Sequence, residues 1–410
     1  MEALLIHNCT LIDCTGRDPV TRAWVLLEAG NIARVGTGAA PRARDAVEID
    51  AAGRTLMPGL IDAHAHLSIV GDHSDPRRIP APVYALEVAR EIEQTLADGF
   101  TTVRDAGGLD WGYKEALRRG LIRGPRLFIS NGPLSQTGGH GDQRPRTQLN
   151  ADEQVPGVWW IGLVVDGPDQ LRWAAREMLR RGADQVKVMA NGGCMSPTDE
   201  LRSTQYTVAE LRAAVEEAAA QGKYVMAHTY TAASMMNCLD AGVRTLEHGN
   251  FGDAAVAERM ASTGTFLVPT ITTYEMLAAD GRKLHYADSM IDKIEDALKG
   301  AYQALKTAYE AGVKIGSGSD VLGFHQRKKS MEPQFKARVM TPMEALIATT
   351  RTNAAIVGAE DRIGTVEEGK LADLLLIDGN PLDDLAILSE RDRVHLVILG
   401  GEIVADRRPQ

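Results

Sequence analysis

The sequence predicts an α/β protein: a (β/α)8 TIM barrel with a small β-domain assembled from both chain ends. Three observations lead there. Eight short apolar segments alternate with helical stretches through the middle of the chain, β-rich runs sit at its two ends, and the length is 410 residues. That length suits a barrel of about 250 to 300 residues plus an appendage. Hydrophobic residues make up 44% of the chain and glycines number 40, a globular composition rather than a disordered or fibrous one.

At the N-terminal end, residues 4–6, 24–27 and 32–35 read as short strands separated by polar and glycine punctuation. The C-terminal end matches them with residues 374–377 and 394–398, a Gly400-Gly401 turn, and residues 403–404. Residues 1–56 and 360–410 are therefore expected to share one sheet domain, and 57–359 to form the barrel. Its strands are expected at 60–66, 101–105, 126–130, 184–189, 224–228, 243–248, 266–270 and 313–320. Between them, residues 208–221 read as a helix, with Thr207 and Glu210 at capping-box spacing and Gly222 as the stop. The segment 135–165 breaks the rhythm. It is long, rich in Gly, Arg, Asp and Gln, and follows the third strand on the face where barrels carry their chemistry.

Net charge is −10 with no extended basic run, which argues against nucleic acid as a partner. No apolar stretch approaches the roughly 18 residues of a membrane span. The N-terminus shows no basic-then-apolar secretory pattern. Cys9, Cys14, Cys194 and Cys238 show no CxxC spacing, so reduced thiols in a cytoplasmic protein are expected.

The most informative residues are His64 and His66, closing the run 58–67. Spaced i, i+2 on a strand, both imidazoles project to one face, where they can hold a divalent metal. Ser68 is in phase with them and should face the same mouth. Lys187, His228, His248 and Asp320 each lie near the end of a short apolar segment. Taken singly they also read as a snorkelling lysine, core histidines and an N-cap aspartate.

In order, His-x-His, Lys, His, His and Asp at strand ends resemble the amidohydrolase superfamily. The lead-in 53–59 and the closing 369–376 extend the likeness over nearly the whole chain. Residues 134–140, ending Gly138-Gly139-His140, resemble its prolidase-like subgroup, as do His228-Thr229-Tyr230-Thr231, Arg104-Asp105-Ala106-Gly107-Gly108 and Glu247-His248-Gly249-Asn250. That subgroup includes Xaa-Pro dipeptidases, metal-dependent carboxypeptidases and ochratoxin-hydrolysing amidases, and relatives build the terminal sheet domain as a β-sandwich.

The resemblance implies two divalent metal ions, zinc first, with manganese, cobalt, iron and a single-metal site as alternatives. His64, His66 and Asp320 would hold one ion and His228 and His248 the other. Lys187, carboxylated by carbon dioxide, would bridge as a carbamate. A bridging water would have its pKa lowered from 15.7 toward about 7. Asp320 would act as general base and then acid, His140 would hydrogen-bond the oxyanion, and Tyr230 would hold a substrate carbonyl or carboxylate.

Substrate contacts are more open. Arg144, Arg146 and Arg327 are candidates for a substrate carboxylate and equally for surface arginines. Trp159 and Trp160 could cover a bulky acyl group or pin their loop. Asp142 and Asp72 give no clear acidic pocket. The expected substrate is therefore an amide or dipeptide ending in a neutral amino acid, Xaa-Pro-like or N-acyl. Cyclic-amide hydrolysis, deamination and a non-catalytic binding role are the alternatives. Relatives imply a homo-oligomer.

Overall fold

The computed structural model describes residues 3–42, 46–71, 79–144, 146–147, 162–196 and 199–408. The chain opens with β1 (Ala3–Leu11), β2 (Val20–Glu28), β3 (Asn31–Thr37), β4 (Ala46–Asp50) and β5 (Thr55–Pro58). There follow β6 (Leu60–Ala65), β7 (Phe100–Asp105), β8 (Arg126–Ile129), β9 (Leu134–Ser135) and β10 (Leu163–Val164). Then come β11 (Val186–Met189), β12 (Val225–Thr231), β13 (Thr245–Phe251), β14 (Phe266–Val268) and β15 (Lys314–Ile315). The chain closes with β16 (Leu374–Ile377), β17 (Val394–Leu399) and β18 (Glu402–Asp406).

The eight expected barrel strands are present as β6, β7, β8 and β11 to β15, all pairing in parallel. The expected strand 313–320 is regular only over Lys314–Ile315; beyond it, Gly318 lets the chain run close against His64 of β6, and Gly316 lets it pass Asn353 and Ile356. Four strands were not anticipated: β4 and β5 in the terminal sheet, and β9 and β10, each two residues long, which extend the sheet from β11 and are too short for periodicity to reveal. The helix Val208–Ala220 carries both halves of the Thr207–Glu210 capping box, as its sequence requires.

Barrel closure rests on a few backbone hydrogen bonds and on side chains that bridge the seams, Asn353 and Asp62 on one and Asp184 and Gln185 on the other. The Ala63 amide donates to Ser317 O at 2.9 Å and the Asp320 amide to His64 O at 2.8 Å, joining the first strand to the last. On the other seam, the Asp184 amide donates to Ile129 O at 2.7 Å. Asn353, fully buried, bridges the first seam. Its Nδ2 donates to Ile61 O at 2.6 Å and Ser317 O at 2.7 Å, and its Oδ1 accepts from the Ser317 amide at 2.9 Å.

Strands from both termini join one eight-stranded sheet in the order β18-β17-β16-β5-β1-β2-β3, with β4 on β1. Alternation gives each face its own task. Leu4, Ile6, Val25, Leu56, Leu374 and Leu396 form a core within the domain. Met57, Leu375, Ile377 and Val397 face the barrel and share a core with Val88, Ile92 and Leu96 of the helix Ala81–Ala97. The four cysteines are buried free thiols. Among the described residues, no helix is long and apolar enough to cross a membrane.

Asn353→Ala should lower unfolding free energy by about 3 kcal/mol, because it strands buried backbone groups on both sides of the seam. Urea denaturation checks this; a loss below about 1 kcal/mol would show that the seam closes without Asn353.

Candidate active site

The C-terminal ends of the barrel strands open into one cavity of about 500 Å³. His64 and His66, Lys187, His228, His248 and Asp320 line its floor; Ser68, His140 and Tyr230 stand around them. Six residues distant in sequence thus meet where barrel catalysis is found.

Strand pleating explains most of this convergence. In β13, Thr245 and Glu247 point into the barrel, so His248, one residue on, should point out. Its φ of 67° breaks the extended run and turns the imidazole back toward the cavity. Asp320 is left-handed too, with φ 51°. Such backbone costs about 1 to 3 kcal/mol per non-glycine residue and persists where surrounding structure dictates it.

Each imidazole is aimed by a partner behind it. His64 Nδ1 lies 2.7 Å from Glu247 Oε2, and a carboxylate only accepts, so Nδ1 carries the proton and Nε2 faces the cavity bare. His66 Nδ1 donates to Gly107 O at 2.8 Å, freeing its Nε2. His228 is reversed: Nε2 donates to Gly192 O at 3.2 Å, leaving Nδ1 free. His248 Nδ1 meets Thr270 Oγ1 at 2.8 Å.

Burial lowers the pKa of His64 and His228 well below the ordinary histidine range, and that of His248 to about 3. These rings are neutral ligands in waiting. Burial would lower His66 as well, but the hydrogen bond and charge of Asp320 raise it instead. Burial would raise the Asp320 carboxyl; the surrounding imidazoles of His64, His66 and His248 hold it below the usual range. Burial pushes Lys187 down to about 8, and its Nζ has a neutral imidazole, His64 Nε2, at 3.4 Å.

This donor set fits divalent metal. One ligand atom each from His64, His66 and Asp320 lie within 4.8 Å of one another. His64 Nε2 and His66 Nε2 are 3.6 and 3.3 Å from Asp320 Oδ1. His248 and His228 stand with ring centroids 4.6 Å apart beside this group. Imidazole nitrogen with carboxylate oxygen is a zinc-type environment.

Behind the floor runs a buried charge chain. Arg104 donates to Glu247 Oε1 and Oε2 at 2.9 and 3.0 Å, to Thr245 Oγ1 at 3.0 Å and to Ala63 O at 2.5 Å. Both Arg104 and Glu247 are fully buried.

The remaining expected residues divide. Tyr230 and His140 line the cavity; the Tyr230 hydroxyl pairs with Tyr274 at 2.7 Å. Ser68 lines it as well, its buried Oγ without a hydrogen-bond partner among the described residues. Arg144, expected at a substrate carboxylate, is instead bound to Asp142 at 2.5 and 2.7 Å and does not line the cavity. Asp142 is thereby neutralised. Arg327 lies away from the cavity, paired with Glu91 and, at 2.7 Å, with Asp98. Arg146 is exposed. Trp159, Trp160 and Asp72 lie outside the described residues. Sequence reasoning assigned no role to Glu247, Arg104, Thr270, Ser196 or Asp199. For Glu247 a signal existed, since its alternation with Thr245 puts both inside the barrel.

The Amidohydrolase family profile matches residues 55–404. The chain belongs to the amidohydrolase family. It is 33% identical to ochratoxinase from Aspergillus niger over 85% of this chain and 75% of that protein. The solved structure of that ochratoxinase superposes with a TM-score of 0.88 at 30% identity, covering 99% of this chain and 96% of the other. A prolidase solved with N-methylphosphonate-L-proline gives 0.91 at 36% identity, over 99% and 100% of the two chains. A Xaa-Pro dipeptidase with methionine in its active site gives 0.88 at 29%, over 98% and 99%. Within the family the chain sides with these prolidase-like members.

Glu247→Gln should cost this amidohydrolase about 3 kcal/mol of stability by leaving the Arg104 charge buried and unpaired. The Arg104→Met, Glu247→Gln double variant should recover most of it. Chemical denaturation of the three variants measures this, and equal losses in single and double variants would dismiss the pair as the cause.

Proposed function

We propose that this protein is a metal-dependent amidohydrolase that cleaves the amide or peptide bond of a dipeptide or N-acyl amino acid. The observation that carries the reading is the convergence of His64, His66, Lys187, His228, His248 and Asp320 on one cavity floor. His64, His66 and Asp320 would hold one divalent ion, zinc by preference, and His228 and His248 a second. Lys187 would bridge them as its carbon dioxide adduct, since a lysine with its pKa lowered to about 8 offers the neutral amine that this adduct requires. When bound, such ions supply Lewis acidity and acidify water held between them.

The protein's own groups do the rest. Asp320, held ionised by its histidine neighbours, accepts the proton of the attacking water and returns it to the departing nitrogen. His140 hydrogen-bonds the substrate carbonyl oxygen as negative charge grows on it. Tyr230 and the unpartnered Ser68 Oγ hold the polar ends of the substrate. Met195, Tyr274, Leu277, Tyr286 and Met290 form an apolar wall, which suits a bulky neutral side chain or acyl group. Arg144 has no part in this scheme.

Incubation with a panel of dipeptides and N-acyl amino acids, read by mass spectrometry with and without zinc, should show release of the C-terminal amino acid from members with apolar groups. Silence across the panel with metal bound would overturn this reading. Asp320→Asn should lower kcat by about 100-fold or more. His64→Ala and Lys187→Ala should lose bound metal by elemental analysis, and metal-free protein reconstituted without bicarbonate should regain less activity than with it. Full metal content in Lys187→Ala would rule out the bridging role.

A further inference from the structure

Where the helix Ile271–Asp280 begins, a bond that its sequence calls for is missing. Thr270 is the N-cap residue, and an N-cap threonine ordinarily accepts an amide of the first turn through its hydroxyl. Thr207, Thr231 and Thr341 do so, accepting from the amides of Glu210, Ser234 and Glu344. The Thr270 side chain makes no capping bond. In its rotamer Oγ1 reaches His248 Nδ1, at 2.8 Å, and not the first turn of its own helix.

The amides left bare are taken by Glu332. Its Oε1 accepts from the Ile271 amide at 3.2 Å, and its Oε2 from the Thr272 amide at 2.7 Å and Thr272 Oγ1 at 2.6 Å. A carboxylate at the positive end of a helix is favourable in its own right. Lys336, one turn along the helix Glu332–Lys336, donates to Glu332 Oε1 at 2.5 Å and to Ser317 Oγ at 3.3 Å. Glu332 and Lys336 are 2% and 0% exposed, so each charge depends on the other for its neutralisation. The pair stands between two segments that deliver the site, one running from Ser317 to Asp320 and the other opening at Thr270. The reaction above uses neither residue.

We infer that Glu332 is a positioning residue: by capping this helix from outside, it leaves the Thr270 hydroxyl to hold the His248 ring. Without Glu332, bare amides at the first turn draw Oγ1 back over its own helix, and His248 loses the partner that fixes its orientation. The inference rests on the metal role given to His248 above. Held at Nδ1, the ring has Nε2 left for the ion, and an imidazole deprived of such a partner binds metal about 10- to 100-fold more weakly.

Replacing Glu332 alone strands the Lys336 charge, so the test variant is Glu332→Leu, Lys336→Met, which removes the pair together. In its crystal structure Thr270 Oγ1 should have left His248 for the amide of Thr272 or Thr273. Chelator competition on the zinc-loaded protein, read by elemental analysis, should find one ion held about 10- to 100-fold more weakly and the other within about threefold of wild type. Activity at limiting zinc should fall and excess zinc should restore it, a rescue that a general loss of packing would not allow. Thr270→Val should reproduce the loss of affinity, and adding the pair substitution to it should cost no more than about twofold further. Glu332→Gln, with one accepting oxygen instead of two, should give a smaller loss in the same direction and keeps the test decisive if the pair variant does not fold. Thr270 still bonded to His248 in the pair variant would overturn the inference. So would a pair substitution that costs as much affinity in the Thr270→Val background as in the wild type. If the wild type holds no second ion, the metal reading fails, and the place of Thr270 in the variant crystal structure decides the inference alone.

Discussion

The hydrogen bond from His64 to Glu247 crosses the barrel interior and joins β6 to β13. Arg104, from β7, holds Glu247 in place and also grips the backbone of β6 through Ala63 O. Three strands are thereby tied through one buried chain of charge, inside a barrel whose interior elsewhere would be filled by branched aliphatic side chains. Buried charge is costly unless every polar atom is paired, and here the pairing also decides which ring nitrogen of His64 faces the cavity. The same bonds that satisfy the interior prepare the floor of the site.

A shared device recurs around the cavity. His66 leans on Gly107 O, His228 on Gly192 O and His140 on Ser196. His66 and His228 give a proton backward to these carbonyls and so present their other nitrogen forward. Because the partners are backbone carbonyls or groups fixed by other hydrogen bonds, the aim of each ring is set by the barrel scaffold rather than by its own rotamer freedom. The backbone contributes as well. His248 and Asp320 reach the floor only through left-handed conformations, and a Cβ on Gly318 would collide with His64.

Above the floor the cavity has two characters. Its lining includes the polar His140, Gln143 and Ser68 and a cluster of Cys194, Met195, Tyr274, Leu277 and Met290. That cluster continues through Tyr230 and Leu201 to Ile294 and Ala297 of the helix Asp288–Glu310. A substrate with one apolar arm and one polar arm would be oriented by this division alone, before any single hydrogen bond is counted.

The sequence by itself determined the alternating barrel, the capped helix Val208–Ala220, the β-character of both ends and the candidate ligands from His64 to Asp320. These are local facts: an i, i+2 histidine pair in an apolar run, a capping box, or a lysine in a strand too apolar for it can be read within a few residues. Tertiary structure decided what depends on distant partners. The pairing of Arg144 with Asp142 is short in sequence yet invisible without the loop's shape, and it removed an arginine from the expected substrate pocket. Glu247 became the partner of His64 across 183 residues. Asp199 came to lie behind His140 through its bonds to Ser196, Gly193 and Gln205, and Asn353 came to bridge the seam between the first and last barrel strands. Periodicity shows which face a residue occupies; only the packed chain shows what stands opposite.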